Sequence, residues 1–166
     1  MAFELIPETG AGVTNANSYC SRAFADSYHE ARLHAEKWQE ADELTKDKAL
    51  AMATRLLDDH VEWRGVPVLT REYPAWPRDG MADRGGAAIV STTLPTCVQE
   101  ATAELARRLL EQDRAVLAED APLSQSAGGR SRSYGQGRRA AVIPPAVTAK
   151  IDHLIIRGAS RLVRAA

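Results

Sequence analysis

A mainly α-helical fold, a small bundle of about four helices with two long loops, follows from three observations on this sequence. Apolar residues recur every three or four positions over four separate stretches. Glycine, proline and serine gather in two long connections instead of punctuating many short runs. Aromatic residues make up only 5% of a chain that is 45% hydrophobic, so Leu, Ala, Val and Ile must fill the core.

The first helix is predicted from Arg22 to Trp38, with Ser21 as its N-cap and Phe24, Tyr28, Ala31, Ala35 and Trp38 at helical spacing. The second begins after Thr45 and carries Leu50, Ala53, Leu57 and Val61 on one face, with Pro67 ending any continuation. Asp58, Asp59, His60 and Glu62 at its end read as a solvated acidic face. The third starts near Pro95, a residue suited to a first helical turn. Val98, Thr102, Leu105, Leu109 and Val116 mark its inner side, and Glu100, Glu104, Arg107, Arg108 and Glu111 its wet side. A C-terminal helix over 145–164 follows Pro144-Pro145, with Val147, Ile151, Leu154, Ile155 and Leu162 inward.

Between these lie the two long connections. In the 64–94 connection, "VPVL" and "AAIV" leave room for a short β-hairpin. Tyr73 and Trp76 each precede a proline, which drives them to extended backbone. Trp63 and Trp76 are predicted to pin this connection across the bundle, with Arg64 and Arg78 bonding nearby carbonyls or carboxylates. The other connection, 121–143, is an Arg/Gly/Ser loop whose segment Ser124 to Arg139 holds four Arg and no acid. Such a composition cannot bury enough apolar surface to order itself, so it is expected to be flexible until it meets a partner. The whole of 1–166 reads as a single domain.

Charge is segregated along the chain. Residues 1–120 hold 13 Lys and Arg against 21 Asp and Glu, whereas residues 121–166 hold 8 Lys and Arg against Asp152 alone. The opening "MAFELIPETG" has neither a basic leader nor a long apolar run, and no stretch approaches the roughly 20 apolar residues of a membrane span. Neither a signal peptide nor a membrane partner is expected. Cys20 and Cys97 read as buried, inert thiols of an intracellular protein.

His29, His34, His60 and His153 are scattered among charges, and Glu30 with His34 lacks a third metal ligand. No nucleophile signature combines Ser, Cys and His. "ETGAGVTNANSY" has the glycines of a phosphate-cradling loop but no following GK[ST]. Gly10, Gly12, Asn15 and Asn17 are better read as turn residues of positive φ. Neither an enzyme nor a cofactor is expected. "GGRSRSYGQGRR" places Arg130, Arg132, Arg138 and Arg139 around Tyr134 among glycines, a composition that tracks a phosphate backbone with one ring available for stacking. The acidic remainder opposes tight binding by an isolated monomer.

The order of "GAGVTNANSYCS", "ATRLLDDHVEWRG", "AWPRDG" and "LPTCVQEATAELARRLL" resembles a family of tailed bacteriophages and prophages. The family has been labelled both as a head–tail connector (neck adaptor) and as DnaT-like single-stranded-DNA-binding. The resemblance covers residues 10 to about 118 and rests on Asn15, Asn17, Ser18 and Tyr19, on Trp63, Arg64 and Gly65, and on Trp76, Pro77 and Arg78. As a connector, it implies a structural adaptor in the neck of the virion, made in the host cytoplasm. Copies would form a ring, twelvefold in such assemblies, between the portal protein and a tail-side neck or terminator protein, with packaged DNA passing through the lumen. Arg130, Arg132, Tyr134, Arg138 and Arg139 would then face DNA or a partner. The alternative is a single-stranded-DNA-binding replication accessory.

Overall fold

The computed structural model describes residues 3–70, 74–114 and 142–156, together with the backbone of 125–127 and 130–132. Five helices run in the order α1 (Arg22–Glu30), α2 (Glu36–Glu40), α3 (Glu43–His60), α4 (Thr96–Glu111) and α5 (Pro145–Ile151). A short antiparallel hairpin, β1 (Val66–Pro67) with β2 (Arg78–Asp79), lies between α3 and α4. A second, β3 (Gln125–Ala127) with β4 (Arg130–Arg132), lies between α4 and α5. None of the described helices is long and apolar enough to cross a membrane.

The first predicted helix is two. Ser21 caps α1 as expected, its hydroxyl accepting from the Phe24 N–H, but α1 ends at Glu30 and His34 takes a left-handed φ of 60° before α2. Tertiary contacts explain the break. Trp38 Nε1 donates to Asp26 Oδ1 at 2.8 Å, and its ring lies 4.7 Å from the buried His29 imidazole. In an uninterrupted helix twelve residues would separate Trp38 from Asp26 by about 18 Å along the axis. Folding the chain back buries the indole, and the Arg107 guanidinium bonds the His34 carbonyl exposed by the turn.

Asp42 caps α3, accepting from both the N–H and the hydroxyl of Thr45. This helix starts at Glu43, slightly earlier than predicted, and packs most extensively on α4. Buried alanines on both, Ala49 and Ala53 against Ala101 and Ala106 among them, suit close approach of the two backbones. Central α4 also meets α1, α2 and α5. Its predicted wet side is only partly wet. Glu104 and Arg107 are buried, because Glu104 receives two hydrogen bonds from Arg32 and one from Arg107, while Arg107 also reaches Glu111. A charge can sit there because each is neutralised by a bonded partner.

The C-terminal helix is shorter than predicted and stops at Ile151. Leu154 and Ile155 do turn inward, but Leu154 lies in a turn and Ile155 in a single bridge to the segment after α3. Arg64 N–H donates to Leu154 C=O, Ile156 N–H to Glu62 C=O, and Trp63 faces Ile155 in an antiparallel bridge. Leu162 and the rest of 157–166, like Val116, lie outside the described residues. Pairing within the 64–94 connection also departs from expectation. The "VPVL" strand pairs with Arg78–Asp79, whereas "AAIV" contributes only the Ala82–Ala88 bridge. At the far end of α4, Arg114 Nε donates to the Val142 carbonyl at 3.1 Å, so the two sides of the 115–141 segment are held together.

Candidate functional site

Of the motif residues, Tyr19, Trp63, Arg64, Gly65, Trp76, Pro77 and Arg78 come together at the 64–94 connection, whereas Asn15, Asn17 and Ser18 belong to the N-terminal turn. Tyr19, fully buried, donates its hydroxyl to Asp58 Oδ1 at 2.6 Å, and Trp63 Nε1 donates to the same oxygen at 2.8 Å. Ala75 N–H donates to Tyr19 Oη and to Asp58 Oδ2. The three rings interlock edge to face, Tyr19 with Trp63 at 6.3 Å and Trp63 with Trp76 at 5.8 Å. Trp76 is wholly buried and joined to Pro77 by a cis peptide bond.

Arg78 completes the assembly from below. Its guanidinium donates to the carbonyls of Arg64, Ala75, Trp63 and Gly65. Four main-chain oxygens of an irregular segment, which no regular ladder serves, are thus satisfied by one side chain. Arg64 reaches across to the Ile155 carbonyl and ties in the chain that follows α5. Gly65 has φ 66°, and a Cβ there would meet the Asp79 carbonyl, so no other residue fits between β1 and β2 without displacement.

Asp58 is the residue that sequence reasoning misread. It is not part of a solvated acidic face, as Asp59, His60 and Glu62 largely are; its carboxylate is the hub of the buried assembly. Burial raises its pKa to about 6, against the hydrogen bonds that lower it. Because the folded chain holds this proton more tightly than the unfolded one, the contribution of Asp58 to stability falls as pH rises from about 4 to about 6, by at most about 3 kcal/mol. Asp58→Asn is therefore expected to flatten the pH dependence of the urea midpoint in that window relative to the parent protein. An unchanged slope would remove Asp58 as its source.

The glycine loop near the N-terminus has its own anion. Gly10, Gly12 and Asn15 have positive φ, as expected of turn residues. Asn17 does not; its side chain accepts from Ile6 N–H and donates to the Glu4 carbonyl. Within this turn the buried Glu8 carboxylate accepts from the N–H groups of Thr9, Gly10, Gly12 and Val13 at 2.8–3.3 Å. The loop does cradle a negative charge, but an internal one. A Cβ on Gly10 would strike the backbone of Thr92 and Leu94, where the loop leans on the approach to α4. Ser18 is buried and closes a small turn through Cys20. The signal for Glu8 was an acid two residues before the first of the paired glycines.

His29 and the two cysteines are also drawn into the fold. His29, expected among exposed charges, is fully buried, donates from Nε2 to the Ala103 carbonyl, and has its pKa lowered by burial. Cys20 is buried just before α1, which pushes its thiol up to about 12, and burial also raises Cys97 in the first turn of α4. Among the described residues no group of three or more His, Cys, Asp or Glu could hold a metal ion.

Of the predicted contact residues, Arg130 and Arg132 fall on β4, described only as backbone, and Tyr134, Arg138 and Arg139 lie outside the described residues. The aromatic motif residues cannot substitute for them as stacking surfaces, because Tyr19, Trp63 and Trp76 are all buried. What remains is a small mainly helical fold with an internally hydrogen-bonded aromatic and polar staple and its basic excess concentrated after residue 120. The chain belongs to the family described as "Putative DnaT-like ssDNA binding protein", whose model matches residues 3–165. No curated protein matches it, and no solved structure does.

Proposed function

We propose that this chain binds single-stranded DNA, without a catalytic step of its own, and that its basic C-terminal third supplies the main phosphate contacts. Family membership over 3–165 is the observation that carries this reading, since the matched region includes the whole Arg/Gly/Ser stretch. The physical support is the division of charge: residues 1–120 hold 21 acids against 13 cations, whereas residues 121–166 hold 8 cations against one acid, and of those cations Lys150 is paired with Glu100. Glycine-interrupted arginines suit a ligand whose backbone is charged and whose shape is not fixed.

Fluorescence anisotropy with a labelled oligothymidylate tests it. Affinity should fall steeply with salt, and replacing Arg130, Arg132, Arg138 and Arg139 with Ala should make the slope of log K against log salt shallower by about 3, at about 0.7 per phosphate contact on a single strand. A parent protein with no salt-sensitive affinity for the oligonucleotide would overturn the reading.

A second reading, the ring-forming neck adaptor of a tailed phage set between portal and tail, is favoured by a different observation. Val66, Val68, Leu69 and Val90 are exposed on the 64–94 connection, apolar surface that a neighbouring subunit would cover. The acidic body and basic end suit head-to-tail contacts between copies. Mass spectrometry of purified particles decides it: a copy number matching the portal protein supports the adaptor, and absence from particles removes it.

A further inference from the structure

A groove of about 400 Å³ runs along α3, lined by residues 48–59 of that helix and by Phe3. Its apolar lining includes Met52, Leu56 and Phe3, and Lys48 and Arg55 line it as well. Lys48, Met52 and Arg55 stand at i, i+4 and i+7, so they share one stripe of the helix. Lys48 and Arg55 are exposed, and neither has an ion-pair or hydrogen-bond partner among the described residues. This sets them apart from their basic neighbours: Arg22 is paired with Glu43 and Asp47, and Lys46 with Asp26. Phe3 is 37% exposed, which leaves much of the side chain open. Asp59 stands at the far rim, so the lining keeps one positive charge in excess.

An apolar slot with an accessible ring, bracketed by two uncommitted cations, is complementary to a flat aromatic group carrying negative charge on both sides. We infer that this groove is a second contact point for single-stranded DNA: one base lies against Phe3 over Met52, and Lys48 and Arg55 take the phosphates on either side. The cations are about 10.5 Å apart along the helix axis, and their long side chains reach inward from there to the phosphates flanking one nucleotide. Stacking on an aromatic ring tolerates any base, and point-charge contacts to phosphate carry no sequence information, so the site adds affinity without sequence preference. The inference rests on the single-stranded-DNA reading and gives it a fixed seat on the folded body.

The test uses the full chain and a labelled oligothymidylate, with the arginine-rich segment intact. Phe3→Ala should weaken binding about tenfold, as loss of one stacked base does. Lys48→Ala with Arg55→Ala should make the salt slope shallower by about 1.4. All three side chains are exposed on the surface, and unchanged melting temperatures would show that the fold is intact. If the parent binds the oligonucleotide and these variants bind with the same affinity and slope, the groove is not a DNA site and the broader reading stands. A loss on one set of substitutions without the other overturns the two-part site. If the parent does not bind at all, both fall together.

Discussion

Trp76→Ala is expected to destabilise the isolated protein by about 3–5 kcal/mol, the range for deleting a buried large aromatic side chain. The indole is wholly enclosed and packs edge to face on Trp63, which in turn packs on Tyr19. Its loss opens a cavity beneath the very segment that Arg78 gathers by its carbonyls. The hydrogen-bonded frame around Asp58 cannot collapse into that space without breaking bonds to Tyr19, Trp63 and Ala75. Chemical denaturation followed by circular dichroism would give the difference directly. A midpoint equal to that of the parent would mean that the Trp-Pro-Arg stretch is not a structural staple, and that its ring faces a partner instead.

The second large effect is expected from Glu104→Ala, a loss of about 3–5 kcal/mol. Glu104 lies in the middle of α4 with its carboxylate bonded by Arg32 at 2.7 and 2.8 Å and by Arg107 at 3.0 Å. Arg107 is itself buried, so removing the carboxylate leaves much of a positive charge uncompensated away from water. Glu111 is still within reach and should keep the loss toward the lower end. Burial raises the Glu104 pKa, but the hydrogen bonds and charges of Arg32 and Arg107 outweigh it and leave the group below its ordinary value. Its contribution to stability is therefore complete above about pH 4.5 and fades as the solution is made more acid. That sign is opposite to the one expected of Asp58, so Glu104→Ala and Asp58→Asn should change the acid limb in opposite senses. A Glu104→Ala protein as stable as the parent would show that the triad contributes nothing net.

The contrast between these two sites explains what could be read from the sequence. Helical spacing located α3 and α4, because their buried residues recur with the helical period and nothing in their neighbourhood competes. The same period ran straight through residues 31–35, where the chain bends back. The deciding interaction there, Trp38 with Asp26, pairs residues whose proximity exists only after the bend. Glu104 and Arg107 were assigned to solvent because charge is ordinarily wet; their exception depends on Arg32, far away in sequence. Asp58 was lost among its acidic neighbours for a similar reason, since Tyr19 and Ala75 come from either side of it along the chain. Trp63, Trp76 and Arg78 were legible because two prolines and two tryptophans in an otherwise aromatic-poor chain demand a structural use. The groove on α3 was not read from the sequence, because it depends on Phe3 arriving beside Lys48, Met52 and Arg55, which only the fold brings about.

The bond between Arg114 and the Val142 carbonyl bears on how the segment between them can change. Fixing the two feet of a connection side by side carries the entropic cost of closing it. That cost grows only with the logarithm of length, about 0.6 kcal/mol for each doubling. The reach of the arginine-rich segment can therefore be lengthened, shortened or rewritten with little consequence for the helices that carry it. The body is thus a frame closed at Arg114 and Val142, and the number of residues inserted between those two points is a quantity that can vary without rebuilding the frame.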